Sequence, residues 1–165
     1  MEARPEIKPE FSKTDKRAEL LGWLILLLLW CLTLYNYLKL PNIIPIHFNA
    51  SGKVDNYGGK STIIVLPVIG TVIFIGLTIL NKHPRIFNYP VSITADNALR
   101  HYTNATRMIR YLKLAIVIIF TSIIFIIYKT ATGKTTGPAT AFLPFTLVLI
   151  FISQILFIMK FVKTK

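Results

Sequence analysis

The chain has 165 residues, 53% of them apolar, and a net charge of +12 from 19 Lys and Arg against 7 Asp and Glu. That length fits one domain, and so apolar a balance excludes an ordinary soluble globule. The charge alone would suit nucleic acid, but its placement assigns it to a membrane surface, so no nucleic-acid partner is expected.

A helix that crosses a bilayer needs ~20 mostly apolar residues at ~1.5 Å of rise each. Four runs qualify: 20–38, 62–80, 112–128 and 141–159. Charges stand only at their rims, because one at mid-membrane costs ~3 kcal/mol. The predicted fold is therefore an all-α integral membrane protein with four transmembrane helices. Residues 1–19 form a flexible cytoplasmic tail and 20–165 the membrane domain. Of the 19 Lys and Arg, 13 fall before the first span, between the second and third, or after the fourth, Lys113 stands at the first rim of the third, and 5 lie in the two other loops. The positive-inside rule then puts both termini in the cytoplasm and the loops at 40–60 and 129–140 outside.

Residues 1–19 hold five charges of each sign around Pro5 and Pro9 and read as a mobile tail, or one with a short helix from Lys13 into the membrane, with no chemistry. The first span carries Trp23 near one rim and Tyr35 and Tyr37 near the other, an aromatic belt. Its apolar core is too long for a signal peptide, about twenty polar residues precede it, and no small-residue cleavage site follows Leu38. Asn36 close to its outer rim meets interfacial water or bonds a neighbouring helix. Cys31 is the single cysteine, so no intrachain disulfide is expected.

The loop from Leu40 to Lys60 is the most motif-like stretch. Pro41 and Pro45 stop the helix. Ile44, Ile46 and Phe48 alternate with Pro45, His47 and Asn49, the period of a short strand. Asn49, Ser51 and Gly52 signal a turn, and Lys53 to Tyr57 supply the return arm. A short extracytoplasmic hairpin is predicted, leaning on the spans or on the other outer loop, since two strands alone are marginal. Pro67 then predicts a kink in the second span.

In the middle loop, Thr94 reads as an N-cap with Asp96 in the first turn. Leu99, Tyr102, Ala105, Ile109 and Leu112 recur at helical spacing, with Arg100, Arg107 and Arg110 on another side. This predicts an amphipathic cytoplasmic helix leading into the third span, ~52 Å long if continuous. Arg100, Arg107, Arg110 and Lys113 are its candidates for lipid contact or for docking a cytoplasmic partner. In the last span Pro144 kinks or starts the helix, Gln154 faces the bundle, and Lys160 and Lys163 anchor the inner end.

Candidate binding residues in the outer loop are His47, Asn49, Asp55 and Lys60. A metal site needs several converging ligands, and topology separates His47 from His83 and His101. His47 and Asp55 remain weak metal candidates, or else hydrogen-bonding members of the turn. No cofactor is expected. Hydrolytic motifs and paired carboxylates outside the tail are missing, and so are ionisable groups deep in a span, which argues against an enzyme or a transporter.

Leu40, Pro41, Ile44, Pro45, His47, Phe48, Asn49, Gly52, Asp55, Gly58 and Lys60 resemble the hallmark of the bacterial family called domain of unknown function 1648. The stretch with Asn88, Pro90, Thr94, Asn97, Arg100, Tyr102, Arg107, Arg110 and Lys113 looks like the segment that often follows it. The same domain occurs in immunity proteins of the sporulation-delay toxin system. The resemblance implies a bacterial cytoplasmic membrane protein that resists a secreted peptide toxin or holds a cytoplasmic partner at the membrane. Two readings follow. One is an immunity-like or signalling protein that meets a peptide or ligand at the 40–60 loop. The other is an accessory subunit that stabilises a partner, or a binder of metal or a small ligand through His47 and Asp55.

Overall fold

The computed structural model describes residues 4–162. Four helices carry the architecture: α1 (Lys13–Lys39), α2 (Val65–Leu80), α3 (Ala98–Ala131) and α4 (Phe142–Val162). Between α1 and α2 stands a hairpin of β1 (Ile43–Phe48) and β2 (Val54–Gly59), joined to α2 by a 3-10 turn, Lys60–Ile64. A second 3-10 turn, Pro84–Ile86, precedes α3. Four helical segments are long and apolar enough to cross a membrane: Lys13–Lys39, Lys60–Leu80, Ala98–Ala131 and Phe142–Met159. Each expected run falls on one of them. Lys163 and the side chain of Lys160, expected as anchors, lie outside the described residues.

The helices alternate in direction, so one end of the bundle gathers the charges and the other the hairpin. Asp15 of α1 meets Arg107 of α3 at the first end, and Asn36 meets Ile124 at the second, which makes α1 and α3 parallel. Trp30 Nε1 donates to Thr71 Oγ1 at 2.9 Å and ties in the antiparallel α2. Asn36 Nδ2 donates to the Ile124 carbonyl at 3.3 Å and is buried. Of its two expected partners, interfacial water or a neighbouring helix, it takes the helix. Leu26, Leu29, Phe74, Val117 and Ile124 fill the space between α1, α2 and α3. Gly22 permits this approach, because a Cβ there would stand 2.9 Å from the Phe74 ring. α4 packs on α3, with Tyr111 and Phe157 stacked at 5.9 Å. Outward-facing Leu27, Leu34, Val72 and Phe151 are exposed, as side chains that meet lipid must be.

Helix boundaries follow local chemistry. Ser12 Oγ accepts from the Asp15 N–H at 3.2 Å while Asp15 accepts from the Ser12 N–H at 2.9 Å, a capping box that starts α1 ahead of the apolar run. Thr94 does not cap α3. The helix begins at Ala98, and Asn97 turns its side chain back, accepting from the Thr94 N–H and donating to the Ser92 carbonyl. Pro67 and Pro144 both sit in the first turn of their helices, where a missing N–H has no helical partner to lose. From Ala98, α3 runs 34 residues, ~51 Å, through both cytoplasm-predicted and membrane-predicted sequence.

The hairpin pairs Ile43 with Gly59, Pro45 with Tyr57 and Phe48 with Val54, and register shifts flank His47. Those shifts break the expected alternation. Ile44 and Pro45 are both buried, whereas Ile46 is 39% exposed. Ile44, Leu40 and Ile63 join the helical core and Phe48 packs on it, so the hairpin plugs this end of the bundle. Its tip leans on the α3–α4 loop. Gly52 takes φ +78°, and a Cβ there would lie 2.4 Å from the Pro138 carbonyl oxygen.

Candidate functional site

The four outer-loop candidates divide by role. Asn49 Oδ1 accepts from the Ser51 N–H, the Ser51 hydroxyl and the Lys53 N–H at 2.8–3.0 Å, which closes the turn. Lys60 sits with its ammonium 5.3 Å from the Tyr37 ring centre. His47 Nδ1 and Asp55 Oδ1 meet in a hydrogen bond at 2.5 Å on the open face of the hairpin, their side chains 65% and 41% exposed. Ile43, Ile46 and Tyr57 of the same hairpin are exposed too. Among the described residues no group of three His, Cys, Asp or Glu converges. His47 and Asp55 thus offer a metal two protein donors, fewer than a protein-built site supplies.

The opposite end holds a denser constellation. Asp15 and Glu19 stand one turn apart on α1, and Arg107, Arg110 and Lys113 follow at three-residue steps on α3. The Arg107 guanidinium grips both Asp15 oxygens at 3.0–3.2 Å. Arg110 donates to Asp15 at 3.1 Å and to Glu19 at 3.3 Å. Lys113 Nζ donates to Glu19 at 2.5 Å and to the Thr78 hydroxyl at 2.7 Å, which adds α2. Arg110 lies 4.4 Å from the Phe11 ring centre and Lys113 the same distance from Phe74. The two acids and three bases leave one positive charge uncompensated, and Arg110 Nη2 has no hydrogen-bond partner.

This geometry revises two expectations. Arg110 and Lys113 are each 1% exposed, so neither presents its charge to lipid or to a docking protein, whereas Arg107, held by Asp15, keeps 36% of its side chain exposed. A bare charge on that face would stay hydrated, but two carboxylates within reach make burial tolerable. Arg100 stays exposed as well. The stretch read as a tail without chemistry supplies both carboxylates. Its residues 4–12 also lie on the start of α3: Arg4 donates to the Arg85 and Phe87 carbonyls, Tyr102 donates to the Pro5 carbonyl, and Ile7 packs on Tyr89, Ala98 and Tyr102. Burial pushes the Tyr89 hydroxyl well above the ordinary phenol range, and it donates to the Pro84 carbonyl at 2.9 Å.

Beside the network opens a cavity of about 620 Å³, walled by the N-terminal segment on one side and by the end of α2 and the 81–85 turn on the other. Ile7, Phe11, Asn81 and Lys82 line it, with Glu19 and Lys113 belonging to the ion pairs. The sequence singled out the bases at this end but neither their carboxylate partners nor the cavity. The available signal was the pair of acids one turn apart in 1–19 against bases at matching steps on a second helix.

Residues 24–71 are similar to the family described as Domain of unknown function (DUF1648). That stretch spans most of α1, the hairpin and the first turns of α2, and leaves the ion-pair network outside it. Over 87 residues the chain is 29% identical to an uncharacterized protein of Archaeoglobus fulgidus, covering 48% of each. The chain therefore spans about half the length of that curated relative. No solved structure matches it. Fold and comparisons together define a small multi-pass membrane protein that sits in the lipid bilayer.

Proposed function

We propose that this protein acts by binding rather than by catalysis, in an immunity-like or signalling role in the envelope, with a peptide as the ligand of the hairpin. The observation that carries the reading is the exposed His47–Asp55 pair, accompanied by exposed Ile43, Ile46 and Tyr57 on a hairpin anchored from behind by Ile44. Polar and apolar groups offered together on a fixed scaffold suit peptide recognition. The excess of Lys and Arg at the other end supports an orientation with both termini in the cytoplasm and the hairpin outside. In a bacterial host this is the cytoplasmic membrane.

The test is growth of cells lacking the gene in the secreted peptide fraction of their own stationary-phase culture. Arrest is expected, relieved by the wild-type chain but not by Ile46→Asp or Tyr57→Asp at equal abundance in the membrane. Deletion cells that grow as well as wild type would sink the reading. One observation favours the accessory-subunit alternative: α4 leaves Phe145, Val148, Phe151 and Ile155 uncovered, a face that a partner's helix fills as well as lipid does. Migration of the mildly solubilised protein as a larger hetero-complex in native electrophoresis would establish it.

A further inference from the structure

The N-terminal segment lies on the charged end of the bundle as a peptide lies on a receptor, in a contact separate from the hairpin. Residues 4–11 form neither helix nor strand, and their exposure alternates up to Glu10. Pro5, Ile7 and Pro9 are half-buried, whereas Arg4, Glu6, Lys8 and Glu10 are exposed. The two prolines fix φ, so less freedom is lost when so extended a chain docks.

The receiving surface is a row of three rings. Phe87 and Tyr89 stack at 6.2 Å, and Tyr89 meets Tyr102 of α3 at 5.7 Å. The Arg4 guanidinium sits 5.5 Å from the centre of the Tyr89 ring and donates to the Arg85 and Phe87 carbonyls at 2.9 and 2.6 Å. The Tyr102 hydroxyl donates to the Pro5 carbonyl at 3.1 Å. Ile7 packs against the cluster of Tyr89, Ala98 and Tyr102. An aromatic groove, a hydroxyl aimed at a proline carbonyl and a pocket for one aliphatic side chain suit an extended, proline-containing segment.

The hold is light. Among the described residues, no backbone N–H from Glu6 to Phe11 makes a hydrogen bond. Pro9 and Phe11 border the cavity of about 620 Å³ that separates the segment from the end of α2, and Phe11 stays 50% exposed. The Glu6–Arg85 ion pair spans 3.3 Å with side chains 74% and 51% exposed, and such surface pairs add little. A segment held this way opens more readily than the helices beneath it. Its tether to α1 at Ser12 still keeps it at an effective concentration of ~1 mM.

We propose that the groove of Phe87, Tyr89 and Tyr102 recognises an extended protein segment of the pattern Arg-Pro-x-Ile, and that residues 4–7 occupy it in cis as an autoinhibitory ligand. The resident segment states the chemistry of the partner. A guanidinium answers the Tyr89 face and two backbone carbonyls, a proline carbonyl answers the Tyr102 hydroxyl, and an aliphatic side chain answers the pocket beside Ala98. A partner's segment on the charged side of the membrane takes the same contacts and sets residues 4–11 free, which removes one wall of the cavity.

The probe is a synthetic peptide of residues 4–11, Arg-Pro-Glu-Ile-Lys-Pro-Glu-Phe, with a fluorophore at its C-terminus. Its anisotropy is read against the full chain in a neutral maltoside detergent. The Ile7→Asp chain, its own segment released, should bind the probe ~10-fold or more tightly than wild type does. Adding Tyr102→Phe, which keeps the ring and removes the donor, should weaken that binding several-fold. A second readout leaves the groove and its resident contacts intact, and it decides alone should Ile7→Asp not fold. In a Cys31→Ser background, a spin label on Lys8→Cys, an exposed site, should be immobilised. Excess unlabelled peptide should free it, and the same peptide carrying Ile7→Asp should not. Equal affinity of the wild-type and Ile7→Asp chains, no effect of Tyr102→Phe, or a label that no peptide concentration mobilises overturns the proposal.

Discussion

Replacing Asp15 by Asn keeps the shape of the side chain and removes its charge, which isolates the electrostatic share of the clasp. Arg110, 1% exposed, then keeps only Glu19 as a counter-ion, and Arg107 loses its carboxylate. Breaking a buried ion pair from one side costs ~3–5 kcal/mol. The expected loss is of that size, read as equilibrium unfolding of the purified protein in mixed SDS micelles. Asn36→Leu at the other end of the same helix pair gives a scale for comparison. Its one interhelical hydrogen bond is long at 3.3 Å, and such bonds average ~0.6 kcal/mol. The first substitution should therefore destabilise several times more than the second. Comparable losses would mean that α1 and α3 are held together by apolar packing and not by the clasp.

The hairpin shows what a single element borrows from its surroundings. Two strands are marginal alone, so this pair relies on Ile44 in the helical core and on the α3–α4 loop at its tip. Gly52→Ala attacks the second support twice, through a positive φ and through a Cβ 2.4 Å from the Pro138 oxygen. A loss of ~1–3 kcal/mol is expected, confined to residues 43–59. Hydrogen–deuterium exchange should speed up there and stay unchanged in α1 and α3. Uniform acceleration would show that the hairpin and the bundle open as one unit. Much of this element was legible in the chain, because prolines, glycines and an Asn–Ser turn are local signals. The register was not, since nothing local announces that Ile46 will be passed over between Pro45 and His47. The start of α3 escaped for a similar reason: Asn97 competes with Thr94 for the same backbone groups, and one sequence does not rank them.

At the scale of the whole chain, the four crossings were legible because bilayer thickness sets a length that apolar runs either meet or miss. The clasp was not, since its halves lie 92 residues apart and each taken alone looks like solvated charge. The proposed orientation is testable by labelling. In a Cys31→Ser background, Ser51→Cys should react with a membrane-impermeant maleimide in intact cells, and Asn88→Cys only after lysis. The reverse pattern would invert the molecule and turn the hairpin toward the cytoplasm.

The distance between the two halves of the clasp also sets an order of events during synthesis. Asp15 leaves the ribosome 92 residues ahead of Arg107, an interval of roughly 5–20 s at ~5–20 residues per second. For that time α1, the hairpin and α2 reside in the bilayer with two carboxylates waiting for bases not yet made. The nascent chain passes through a stage in which one end is closed by its plug and the other is open, its two clasp carboxylates unpaired. Arrival of α3 shuts it, and the last helix to emerge then packs onto a bundle already locked.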